Sequence, residues 1–145
     1  MKDEIHQHIL QDNPPEAIGG PVPKGEIESA EKELGVKLPN DYKEYLHNYG
    51  SGGVPQYQIL GLRVAEFLSD TEESFVEVTK EFREKLPEPY NKMVVVCVDY
   101  DGDPVGFLPG EPSIFVIDHE SGKRLEMADS FEHLLEKLIN DESFF

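Results

Sequence analysis

The sequence predicts an α+β domain in which a mixed, mainly antiparallel sheet is flanked by N-terminal, inserted and C-terminal helices. Three observations predict it. Helix-spaced apolar stripes occupy the first third of the chain, one insertion and the C-terminal end. The apolar runs of the second half are short and joined by hairpin turns. Nowhere does the strand–helix alternation of a parallel nucleotide-binding sheet appear. At 145 residues the chain fits a single domain, 1–145, large enough to bury a substantial core.

Each element follows from local chemistry. Ile5, Ile9 and Leu10 share one side of a first helix that ends by Asn13-Pro14-Pro15. AIGGPVPKG, with three glycines and two prolines, is a loop. From Glu26 to Leu34, Ile27, Ala30 and Leu34 recur at i, i+3 and i+7, and Gly35 supplies a left-handed C-terminal cap. Pro39 pushes Leu38 out of the helical region, and Asn40 is the expected N-cap of the next helix. Tyr42, Tyr45, Leu46 and Tyr49 form its apolar stripe, closed by Gly50. QYQILGL, from Gln56, reads as a strand. Ser69 and Glu72 form a capping box before a helix carrying Phe75, Val78, Phe82 and Leu86, which Pro87 stops.

Met93–Val98 is a continuous apolar run and reads as a strand buried on both sides, or at least central in the sheet. Asp101-Gly102 turns it into a short strand through Val105 to Leu108, whose start Pro104 confines to an edge. Pro109-Gly110 turns again into Ser113–Asp118, and His119-Glu120-Ser121-Gly122 reverses that strand into KRLEMA. Asp129 and Glu132 form a second capping box before a helix carrying Phe131, Leu134, Leu135, Leu138 and Ile139.

Charge narrows the function classes. Thirteen Lys and Arg face thirty Asp and Glu, a formal charge of −17. That field repels phosphate backbones, so direct nucleic-acid binding is disfavoured; it serves solubility alone, or it draws in a basic partner. The longest apolar run is far shorter than the roughly 20 residues of a membrane span, and the N-terminus lacks a signal-peptide pattern, so a cytoplasmic protein is expected. The single cysteine, Cys97, lies within MVVVCV and reads as a buried structural thiol.

No reaction is spelled out. The cluster Gly50-Ser51-Gly52-Gly53 follows a helix, whereas phosphate-cradling loops precede one, and neither phosphate-binding glycine motif fits it. It reads as a tight reversal. Asp99, Asp101 and Asp103 alternate about Gly102; this is a solvated acidic hairpin tip, a weak cation site or an acidic contact for a basic partner, and it fails the EF-hand spacing. The five histidines make no zinc pattern, and no nucleophile elbow is present. We therefore expect no catalytic residue, no cofactor and no resident metal.

The pattern E-x-x-LG-x-x-LP-x-(D/S)-Y-x-x-(Y/F)-L-x-x-x-(G/N)-x-G-G, carried by Glu31, Leu34, Gly35, Leu38, Pro39, Asp41, Tyr42, Tyr45, Leu46, Gly52 and Gly53, resembles the SUKH superfamily. VDYDGD looks like that family's central acidic hairpin, and IFVIDHES followed by ADSFEHLLEKLI resembles its last strands and closing helix, so the resemblance covers about positions 26 to 140. It implies a scaffold without a shared active site. Its bacterial members are largely immunity proteins that bind and block a toxin, often a nuclease; the fungal members include a regulator of cell-wall glucan synthesis. On this footing the expected partner is a basic protein such as a toxin nuclease domain. The expected contacts are Tyr57, Asp99, Tyr100, Asp101 and Asp103, with Tyr57 equally placed to be core. An intracellular scaffold or regulator of cell-wall type is the alternative.

Overall fold

The computed structural model describes residues 1–11, 18–54, 59–62 and 74–140. Among these the order is α1 (Asp3–Gln11), α2 (Lys24–Leu34), α3 (Asn40–Tyr49), α4 (Phe75–Lys85), a short 3-10 turn (Tyr90–Lys92), β1 (Val94–Val98), β2 (Pro104–Phe107), β3 (Ile114–Ile117), β4 (Arg124–Ala128) and α5 (Phe131–Ile139). The four strands pair in sequence order, and every pairing is antiparallel. α4 packs on β1 and α5 on β4, while α3 joins α2 to α5. The buried apolar side chains form one cluster that runs from Ile5 to Leu138.

The helix ends show which local signals operate. Gly35, at φ 69°, ends α2: its amide donates to Lys32 O, and the Val36 amide donates to Glu31 O, the paired bonds of a Schellman cap. α2 starts earlier than the apolar stripe suggests, at Lys24, because Pro23 supplies the preset entry angle and its carbonyl accepts from Glu26. α3 likewise begins behind Pro39, and Asn40 makes no side-chain cap; its neighbour Asp41 instead accepts from the Tyr42 amide. Leu10, expected on the inner side of α1, is exposed, whereas Ile5 and Ile9 are buried.

α4 has its own capping box: Ser74 Oγ accepts from the Glu77 amide and the Glu77 carboxylate accepts from the Ser74 amide. The box expected at Ser69 lies outside the described residues. At α5 the cap is Ser130, not Asp129; its Oγ accepts from His133 N. Glu132 does not turn back onto its own helix end. Its amide donates to Asp41 Oδ2 across the α3–α5 contact, a tertiary bond that replaces the local one.

The sheet is buried more completely than a one-sided sheet. Every residue of β2 and β3 is buried, and β1 is buried through Cys97. Pro104 does open β2, but β2 lies between β1 and β3. As the strand's first residue, proline is tolerated away from an edge. The register of β1 against β2 shifts between Val95 and Cys97, and the Val95 amide is taken up by Thr79 Oγ1 of α4 at 2.9 Å. Of the expected QYQILGL strand, Ile59 makes a single antiparallel bridge to Cys97 and the Leu60 amide donates to Val96 O; positions 55–58 lie outside the described residues.

The tyrosine helix and the glycine cluster are one construction. Tyr42, Tyr45 and Tyr49 are all buried. The Tyr42 hydroxyl donates to Leu60 O at 2.8 Å and the Tyr45 hydroxyl to Gly52 O at 2.7 Å, so two phenols hold the reversing chain. Gly50, Gly52 and Gly53 all take positive φ. At Gly61 a Cβ would overlap the Gly50 carbonyl oxygen, which also accepts from Leu62 N. Only glycine permits that approach.

Candidate functional site

Hairpin topology places the β1–β2 and β3–β4 turns at the same end of the sheet. The first is closed by the Asp99 amide on Asp103 O and the Gly102 amide on Asp99 O, with Gly102 at φ 84°. Asp99 Oδ1 accepts from Asp101 N and Asp103 N, so this side chain serves its own turn. Its partial burial raises the carboxyl above its ordinary range, the turn amides opposing that shift. In the second turn Asp118 Oδ1 accepts from Glu120 N and Ser121 N, and these amides hold its carboxyl below the ordinary range.

The two turns are joined through Asp103. Its Oδ1 accepts from the His119 amide at 3.1 Å and meets His119 Nδ1 at 2.5 Å. Asp103 is only 5% exposed although it carries a carboxylate, and it is the sole buried acid among the described residues. His119 stands largely in solvent, with its imidazole pKa raised, first by the hydrogen bond to Asp103.

The sequence-predicted contacts therefore divide. Tyr100 and Asp101 are exposed at the tip. Asp99 is half-buried and Asp103 buried, both engaged in turn architecture, so reversing the charge of Asp103 would damage the fold as well as any contact. Tyr57 lies outside the described residues. His119 and Asp118 join this site without having been singled out, because the pairing spans sixteen positions and no local pattern marks it. Single donor atoms of Asp103, Asp118 and His119, and of Asp99, Asp101 and Asp103, lie within 4.8 Å of one another. Such spacing fits a small cation; in the first set His119 Nδ1 is taken up by Asp103 Oδ1.

Beside these turns a groove of about 240 Å³ opens against the C-terminal turn of α4. Phe82, Leu86 and Ile117 contribute its apolar wall, and Asp103, Asp118 and His119 its polar side. A second hollow, of about 280 Å³, lies between α2 and α3 and is lined by Ile27, Lys43, Glu44 and His47.

Two groups that resemble catalytic parts are structural in their setting. The Tyr49 hydroxyl bonds His6 Nδ1, and His6 Nε2 lies 3.1 Å from Glu44 Oε2, a Tyr–His–Glu chain. Burial raises the Tyr49 phenol above its ordinary value, which is the reverse of nucleophile activation; the chain ties α1 to α3. Cys97 is fully buried, and burial pushes its thiol up to about 12, leaving no thiolate near neutral pH.

The match to known proteins follows this architecture. The SUKH_6 family model, described as SMI1-KNR4 cell-wall, matches residues 24–135, from the start of α2 into α5. The chain belongs to the SUKH superfamily. The match in this SUKH chain takes in α3, the glycine reversal, all four strands and both hairpin turns, and leaves α1 outside. No curated protein matches the chain. Among the described residues no helix is long and apolar enough to cross a membrane.

Proposed function

We propose that this SUKH chain is a non-enzymatic, cytoplasmic protein-binding domain, an immunity protein that neutralises a basic, nuclease-type toxin of a polymorphic toxin system. One observation carries the reading: a formal charge of −17 surrounds a scaffold whose conspicuous tyrosines, glycines and cysteine are held by its own core. A nuclease must present a positive groove to phosphate backbones, and an acidic body associates fast with such a groove and excludes the substrate. The exposed Tyr100 and Asp101 supply an aromatic beside a charge at the protruding turn.

The test is a titration with whichever nuclease-type toxin domain the neighbouring genes encode. Stoichiometric loss of nucleic-acid cleavage, with an association rate that falls as salt rises, is the expected outcome. Cleavage that continues at a molar excess of this protein removes the reading. The cell-wall description of the matching family favours a second reading as an intracellular regulator or scaffold of cell-wall type. A neighbourhood without a toxin gene, together with a wall-synthesis defect on deletion, would select it.

A further inference from the structure

We propose that the groove between the end of α4 and the two hairpin turns seats an arginine side chain of the basic partner, its guanidinium bridging Asp103 and Asp118. This rests on the reading of the protein as a binder of a basic protein and names the contact it uses. Size argues first. About 240 Å³ is smaller than the roughly 300–1,000 Å³ of pockets that enclose drug-sized ligands and suits one long side chain.

Chemistry argues second. Phe82, Leu86 and Ile117 supply apolar lining for the three-methylene stem, and Asp103 and Asp118 line the same groove. Asp103 and Asp118 each present an oxygen within 4.8 Å of the other, a span that two N–H bonds of one planar fork can bridge. The backbone and ring bonds to both aspartates go to Oδ1, and a carboxylate's two oxygens offer about four acceptor sites, so each keeps capacity for a further donor.

The wall is also suited to a cation. Lys85 already holds its ammonium 6.0 Å from the Phe82 ring centroid, so the partner's guanidinium replaces a weaker internal one. The same fold stacks a guanidinium on an aromatic elsewhere, with Arg124 Cζ 4.0 Å from the Phe115 ring. Arginine is favoured over lysine because only its fork reaches two carboxylates while its face lies on a ring. A metal ion is the competing occupant for the same carboxylate oxygens.

The experiment is an NMR titration of the full chain with the capped tripeptide acetyl-Gly-Arg-Gly-amide, its citrulline counterpart, and calcium and zinc chlorides in separate arms. The arginine peptide is expected to give saturable amide shifts centred on Gly102, Asp103, Asp118 and His119, with the citrulline peptide silent. Asp118→Asn and Phe82→Ala should each weaken binding roughly tenfold, the loss of one charge-assisted bond or one stacking face. Lys85→Gln, which leaves the turn bonds untouched, should tighten it. Shifts scattered over the acidic surface, equal binding of citrulline, or saturation by metal alone overturns the inference. Toxin inhibition by Asp118→Asn is measured in parallel. Retained inhibition alongside lost peptide binding moves the interface off the groove and leaves the functional reading standing; peptide binding without any toxin inhibition by the unaltered protein does the reverse.

Discussion

Asp103 shows how one buried carboxylate can join two turns that the sequence keeps apart. Burying an ionised acid is costly unless it is met by donors, and here the donors are the backbone and ring of His119. The linkage fixes a pH dependence. The folded-state pKa of His119 is raised, so protonation favours the folded state. Its contribution is fully present below the unfolded value of 6.5 and is lost as pH rises through the higher folded value. The groups facing the ring are Asp103, Asp118 and Glu120, all acidic, so none reverses the sign. A comparison of melting temperatures for the unaltered protein and His119→Ala, from pH 5.5 to 8.5, should show its largest gap at the acid end. A gap that does not change with pH would mean the imidazole contributes packing only.

At the scale of elements, the seam between α4 and β1 decides how the sheet is held. The register of β1 shifts just after Val95, whose amide donates to the fully buried Thr79 Oγ1. Arg83, one turn further along α4, donates to the carbonyls of Leu34, Lys92 and Met93, closing the ends of three segments. Thr79→Val keeps the shape and removes the acceptor, leaving a buried N–H unmet. We expect a loss of about 1–3 kcal/mol in urea unfolding with an unchanged m-value; Thr79→Ser should restore most of it. Equal stability of the valine variant would show that the amide finds another partner. These contacts also mark the limit of what the sequence discloses. Gly35, the tyrosine stripe of α3, Gly102 and the α5 stripe are legible because each acts within a few residues of itself. Caps are not legible where a tertiary partner competes with a local one, as Asp41 does for Glu132. Pro23 and Pro39 start their helices earlier than the apolar stripe or a side-chain cap suggests, since a preset φ replaces such a cap. The groove and the Asp103–His119 link depend on which turns become neighbours, and no periodicity encodes that.

For the whole molecule, net charge sets a balance between self-repulsion and recruitment. Thirty acids against thirteen bases cannot be neutralised internally, and pairs such as Lys80–Glu33 at 2.9 Å and Lys2–Glu136 at 2.7 Å are exposed ones of small individual worth. Salt weakens those attractions and the global repulsion together, but the surplus is in the repulsion. The screening length falls from about 30 Å at 0.01 M to about 10 Å at 0.1 M, so distant acids stop interacting well before contacting pairs do. Adding sodium chloride from about 0.01 to 0.3 M should therefore raise the melting temperature by a few degrees, equivalent to about 1 kcal/mol for a chain of this size. Sodium chloride is chosen because sulfate would also strengthen apolar burial. The same addition should slow association with a basic partner, since the field that loosens the free protein is the one that steers the encounter. Opposite movement of stability and association rate along one salt series is the signature of a fold carrying excess charge for a partner. A melting temperature that falls with salt would place the balance in the surface pairs and detach the charge from recognition.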